Sequence, residues 1–227
     1  MVGNRTARAT KATALPPEPA VREQILIAAT RAFAAKGLDA TTIQDVADAV
    51  GIRKPSLLWH FRSKEELHRA VLDALLSRWN ETLPRLMRAA TREDRFDAVL
   101  DETIAFFAAD PDRARLLLRE ALDRPDAMRA LLATSAAPWM SVVTDAIERG
   151  RAAGAIRSDV DADAYVVMVI HLVIGNVATA GTVLPPGLTS RSRGSMVATG
   201  GAKGSSKVPA RIVREIKRVA RAALMVE

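Results

Sequence analysis

The apolar residues of the first third fall at helical spacing, broken by punctuating glycines and capping residues. From about Ala20 to Lys36 the pattern is carried by Ile25, Ala29 and Phe33, with Leu26 and Ala28 alongside. Gly37 follows, where a C-cap glycine belongs. Thr42 with Asp45 three residues on predicts a capping box, and Val46, Ala47 and Val50 give the next helix its buried face. Gly51 makes a turn, and Ile52 tucks beneath it. A short helix is then expected from about Lys54 to Phe61, with Pro55 in its first turn, where proline is tolerated. Ser63 and Glu66 form a second capping pattern. It opens a long helix through Leu67, Val71, Leu72, Leu75, Leu76 and Trp79, which Pro84 should kink or end. Two short helices joined by a glycine turn make a helix-turn-helix, whose second helix fits the DNA major groove.

The remainder also reads as helix. Segments are expected over about 95–108, from Pro111 through the run Leu116 to Leu118, and from Pro125 to Gly154. Residues 162–184 are rich in Val and Ile, which suits a buried strand, but the stretch is too long for one and predicts a buried helix. A last helix spans about Pro209 to Met225, with Ile212, Val213, Ile216, Val219, Ala220, Ala223 and Leu224 on one face and Arg and Lys opposite. Two segments have little to bury. Residues 1–18 read as a disordered basic arm, either a passive tail or one that brushes the minor groove or backbone. Residues 185–207, rich in Pro, Gly, Ser and Lys, read as a mobile loop. The class is therefore all-α, with a three-helix helix-turn-helix domain over 19–67 and a second helical domain over 68–227.

Charge sharpens that division. Residues 1–69 hold 11 basic and 7 acidic side chains, 70–184 hold 13 and 17, and 185–227 hold 9 and 2. A basic front on an acidic body suits a DNA reader joined to a part that does not touch DNA; a solubilising surface is the alternative. The chain has no cysteine, so disulfides, a thiol nucleophile and Cys-ligated zinc are excluded. Three histidines, His60, His68 and His171, support no metal site, and no cofactor is expected. No uncharged run of about 18 residues predicts a membrane span, and no signal-peptide core follows Arg5, Arg8 and Lys11, so a cytoplasmic location is expected. No Ser-His-Asp arrangement, glycine-rich phosphate loop or HExxH run is visible, and acidic pairs such as Glu93–Asp94 and Asp110–Asp112 sit at helix starts, where acids favour the dipole. An enzyme is not expected.

Over residues 20–67 the chain resembles the tetracycline-repressor (TetR) family of bacterial transcription regulators. The resemblance rests on Phe33, Gly37, Thr42, Ala47, Gly51 and Leu57, the run Trp59-His60-Phe61, then Lys64 and Leu67. Two positions depart from the family pattern. Leu58 stands where a phosphate-contacting Tyr is usual, and Arg53 where Ser or Thr caps the recognition helix. Lys54 is expected to meet guanine acceptors, Ser56 a base edge or phosphate, and Pro55 a thymine methyl group. Arg53, His60 and Lys64 are expected on phosphate. Thr42, with the amide at the start of its helix, and Ser63 act as caps, and Thr42 is also a phosphate candidate. Trp59 and Phe61 read first as core packing, with base stacking as the alternative, and Trp59 is kept among the contact candidates. Leu58 is taken as packing.

One short helix reads few base pairs, so a homodimer on a palindromic double-stranded operator is expected, its recognition helices about 34–36 Å apart. The natural seam is the 162–184 helix with the 209–225 helix, packed on their mates as a four-helix bundle. The resemblance further implies a regulatory and dimerisation role for the domain over 68–227, with a small-molecule effector held in it. Candidate lining residues are Phe106, Phe107, Met128, Trp139, Met140, Tyr165, Met168, His171 and Asn176. Each reads first as core, and His171 first as a satisfied core or interface histidine, with ligand contact as the alternative. The expected function is a repressor released from its operator by that effector. The alternatives are a DNA-binding regulator without a small-molecule ligand and, remotely, a helical enzyme.

Overall fold

The computed structural model describes residues 20–82, 95–180, 182 and 208–226, and among these it holds ten helices and no strand. In chain order they are α1 (Val21–Ala40), α2 (Ile43–Val50), α3 (Lys54–His60), α4 (Lys64–Asn80), α5 (Arg95–Ala109), α6 (Pro111–Asp123), α7 (Pro125–Ser135), α8 (Ala137–Ala152), α9 (Ala162–Thr179) and α10 (Ala210–Leu224). An isolated antiparallel bridge joins Ile156 to Met225. The arm at 1–18, the loop at 185–207 and Pro84 lie outside the described residues.

Local chemistry explains most of the boundaries. Thr42 Oγ1 accepts the Asp45 N–H at 3.1 Å while Asp45 Oδ2 accepts the Thr42 N–H at 3.0 Å, so the predicted capping box is complete. Gly51 is left-handed (φ 77°, ψ 26°), and its N–H returns to the carbonyls of Ala47 and Asp48, which ends α2 and aims α3. Ser63 Oγ accepts the Glu66 N–H at 3.1 Å, but Glu66 reaches back one residue further than a capping box requires, to the N–H of Arg62 at 2.9 Å.

Three expected boundaries differ. α1, expected to stop at Gly37, resumes beyond it to Ala40, with Gly37 (φ 80°, ψ 173°) as a non-helical kink inside. The pattern from Pro125 to Gly154 is two helices, broken at Ala136, because Pro138 has no N–H for the carbonyl one turn earlier. The 162–184 pattern ends at Thr179; Gly181 follows, among the poorest helix formers. α9 is long and apolar enough to cross a membrane. It packs instead on α5, α6, α8 and α10, as the core helix of a bundle does.

There are two cores, and α4 and α6 enter both. The first gathers Ile25, Ala29 and Phe33 of α1, Val46 and Ala47 of α2, Leu57 of α3, and Leu67, Val71, Leu72, Leu75 and Leu76 of α4. One turn further on, Trp79 of the same helix joins the second core, with Phe106 and Phe107 of α5, Trp139 of α8, Tyr165, Val173 and Val177 of α9, and Ile216, Ala220 and Leu224 of α10. Burial of each large apolar side chain is worth about 1.5–3 kcal/mol, so α4 cannot shift without straining both cores.

The seam between the cores is built from α1, α4 and α6. Leu116 of α6 is buried in the first core. Arg119 donates to the Ala35 carbonyl at 3.3 Å, placing a cation at the C-terminal end of α1, where the helix dipole favours it. Gly37 allows that approach. Its φ is +80°, and a Cβ there would lie 3.4 Å from Arg119 Cδ. Behind Arg119, His68 of α4 faces Glu120 of α6 at 3.3 Å, each side chain 5% exposed, with the Phe33 ring edge-on to the imidazole at 4.9 Å. Arg124 lies 3.7 Å from the same carboxyl.

Burial, and then the Arg124 charge, push the His68 pKa down from the ordinary 6.5 to about 4, while Glu65 opposes the shift. Burial pushes Glu120 up, and Arg124 pulls it back. The two residues therefore act oppositely on acid stability. The His68 contribution is full above pH 6.5 and is lost as pH falls toward 4, because the unfolded chain binds the proton first. The Glu120 cost eases over acid pH. Replacing His68 with Gln keeps a donor and removes only the titration. The thermal midpoint of wild type should drop more steeply than that of His68→Gln between pH 6.5 and 4; parallel profiles would show that His68 is not buried as a neutral base.

Candidate nucleic-acid interface

The N-terminal end of α3 is presented bare. Leu57 and Phe61, four residues apart on one face, are buried at 0% and 1% exposure and pin the helix to the first core. Arg22 of α1 lies over the Phe61 ring at 5.0 Å. Arg53, Lys54, Pro55 and Ser56 are consequently all exposed. Arg53 makes no side-chain cap bond to α3, as expected of a poor N-cap. Its guanidinium is not tied to its own helix start. Leu58 is half-buried.

Trp59 corrects the packing expectation. It is 82% exposed, whereas Phe61 is core. Two positions from both Leu57 and Phe61, Trp59 points about 200° away from their face at 3.6 residues per turn. Its ring meets half-buried His60 edge-on at 4.8 Å, so the two aromatics form one projecting unit beside the basic end of α3.

Around this helix, Thr42 is exposed, but its side chain and its own N–H are both engaged with Asp45. The hydroxyl proton and the first-turn amides of Ile43 and Gln44 are what a phosphate would meet. The hydrogen bonds from Thr42, with Lys36 at 3.6 Å, hold the Asp45 carboxyl below its usual range. Lys64 donates to the Asp39 carbonyl at 3.3 Å, fastening the first turn of α4 to the end of α1; its other two N–H groups are not used in that bond. The edge thus presents cations from α3 and α4 beside the start of α2. Among the described residues no His, Cys, Asp and Glu cluster could hold a metal ion.

The residues expected to line an effector site divide. Phe106, Phe107 and Trp139 come together around a residue the sequence reading assigned only to a helix face, Trp79: its ring lies 5.0, 5.9 and 5.6 Å from theirs. Met140 is half-buried against the same core. Tyr165 is buried too, but its hydroxyl is committed to the Ala220 carbonyl at 2.7 Å, joining α9 to α10, and burial raises its pKa. Met128 is buried on α7 outside both cores, and half-buried Asn176 donates to its own helix at Leu172. Met168 and His171 turn the other way. Met168 is 46% exposed, and exposed His171 keeps Nδ1 at 2.8 Å from the Val167 carbonyl, because both lie on the face of α9 opposite Val173 and Val177. They do not join the aromatic cluster, and His171 is not a core histidine of this chain.

The profile of "Bacterial regulatory proteins, tetR family" matches residues 25–71, and that of the "Tetracyclin repressor-like, C-terminal domain" matches residues 93–185. TtgR, an HTH-type transcriptional regulator of Pseudomonas putida, is 42% identical over 76 residues, 34% of this chain and 34% of that one, so the match spans about a third of the relative's length. KstR2 of Rhodococcus jostii, an HTH-type transcriptional repressor, is 34% identical over 151 residues, 63% of this chain and 71% of the relative. Among solved structures, a TetR transcriptional regulator from Chloroflexus aurantiacus superposes with a TM-score of 0.62 at 21% identity, covering 91% of this chain and 97% of that one. At that identity the likeness concerns the fold.

The exposed end of α3 leads to a paired expectation. Lys54→Ala should change base preference at one position per half-site, whereas Arg53→Ala should weaken binding to all sequences alike and lower the salt slope by about one. Quantitative binding to a library of single-base operator variants, at several salt concentrations, separates the two. An unchanged preference removes Lys54 from the base-reading residues.

Proposed function

Because this chain belongs to the TetR family of bacterial regulatory proteins, we propose that it is a cytoplasmic homodimeric repressor, released from a palindromic operator when a small molecule enters its helical domain. The observation that carries this reading is α4. It begins three residues after the pinned end of α3 and ends at Trp79 in the second core, so whatever moves Trp79 moves the DNA-reading edge.

The remaining parts of the proposal rest on particular surfaces. Lys54, Pro55 and Ser56 read bases, and Arg53, Thr42, His60, Lys64 and Trp59 meet the backbone. Val167, Met168 and His171 of α9 and Val219 of α10 form an exposed, largely apolar face that a twofold mate would cover. The predicted stripe of α10 is divided in the same sense, with Ile216, Ala220 and Leu224 turned inward and Val219 out. Switching such a dimer from 99:1 to 1:99 requires about 5.5 kcal/mol of differential affinity, a plausible total for two effector sites.

Selection of bound sequences from a random DNA pool, with the full chain at a stated salt concentration, tests the reading. The expected product is a palindrome with half-sites one or two helical turns apart. Salt-sensitive binding without any enriched sequence contradicts it.

A further inference from the structure

Trp79 and Trp139 are 6% and 9% exposed, their rings meet edge to face at 5.6 Å, and the Nε1–H of each is buried with no acceptor. Buried donors in native proteins are almost always satisfied, and the exceptions call for an explanation. Here two of them sit on adjoining rings. The other rings of the cluster, Phe106 and Phe107, are apolar and offer these donors no acceptor. The Oδ1 of half-buried Asn80, next along α4, is also unpartnered and adds one acceptor.

The surroundings restrict what an incoming group can be. Indole N–H only donates, so it takes an oxygen or nitrogen acceptor and offers nothing to an ammonium group. Among the described residues the carboxylate beside this cluster, Asp110, is paired with Arg113 at 3.6 Å. The nearby cation, Arg113, is committed: its guanidinium lies 4.8 Å over the Phe106 ring, donates to the Phe106 carbonyl at 2.9 Å and stands 3.6 Å from Asp110. A buried anion would therefore lack a counter-charge. What fits is an apolar body with an uncharged acceptor.

We propose that the effector of this chain is an uncharged, mainly apolar molecule bearing a carbonyl- or ether-type oxygen, bound among α4, α5 and α8 with that oxygen accepting an indole N–H of the Trp79–Trp139 pair. The inference rests on the effector-responsive reading above and names the ligand class for it.

The test uses full-length protein labelled with ¹⁵N at its three tryptophans, whose indole signals are assigned with Trp59→Phe, Trp79→Phe and Trp139→Phe. The probes are 2-acetylnaphthalene, its isostere 2-isopropenylnaphthalene and 2-naphthoate, titrated with and without the selected operator. The expected result is at least tenfold tighter binding of the ketone than the alkene, with the Trp79 or Trp139 indole proton moving downfield and the preference lost in the matching Phe variant. Equal binding of ketone and alkene, with operator release by either, overturns the acceptor class and leaves the effector reading intact. Tightest binding of naphthoate overturns the uncharged class. Failure of all three to bind or to alter operator binding overturns the proposal and counts against the effector reading as well. The wild-type indole shifts carry the test even if one Phe variant does not fold.

Discussion

Everything in this chain turns on two helices, α4 and α6, being packed into both cores. From Leu67 to Leu76, α4 is the floor beneath α1, α2 and α3; at Trp79 it becomes a wall of the aromatic cluster formed with α5 and α8. Large apolar residues at both ends make α4 a rod rather than a tether. A domain joined by a flexible linker can lose contact with its neighbour at little cost, whereas here any displacement of Trp79 must be absorbed by the packing under the recognition helix or passed on to it. The seam reinforces this. Arg119 and Glu120 of α6 hold α1 at Ala35 and α4 at His68, so α6 grips two of the three elements that position α3.

The electrostatics divide by depth. At the start of α3 the cations are exposed: Arg53 and Lys54 lie at a helix N-terminus whose amide dipole adds to the same field. Such charges contribute little to folding and are available to phosphate. At the seam His68 and Glu120 are buried against each other while Arg119 and Arg124 reach in from a partly exposed edge, so their worth lies in fixing how the two parts sit rather than in net stability. In the second core the indole N–H groups of Trp79 and Trp139 are buried and, among the described residues, have no acceptor.

Much of this was legible in the sequence where the cause is local. Thr42 with Asp45, Gly51 and Ser63 with Glu66 each act within a turn, so spacing alone predicted the helix-turn-helix and the start of α4. Features set by distant partners were not. His68 and Glu120 are 52 positions apart, and nothing in either neighbourhood announces the pair, although His68 does fall on the apolar face marked by Leu67, Val71 and Leu72. Trp59 misled because α3 is too short for a periodic pattern to show which aromatic faces inward. α9 is apolar all round, so its sequence could not say that Met168 and His171 face out while Val173 and Val177 face in. Trp79 was placed on its helix correctly, but its role as the centre of the cluster depends on α5 and α8.

The most direct test of α4 as the shared rod is hydrogen–deuterium exchange on full-length Trp79→Phe against wild type. The account predicts faster exchange in α4 and also across α1 to α3, more than a dozen residues from the substitution, because both cores loosen together. Faster exchange confined to 95–180, with α1 to α3 unchanged, would contradict it and leave the two cores mechanically independent.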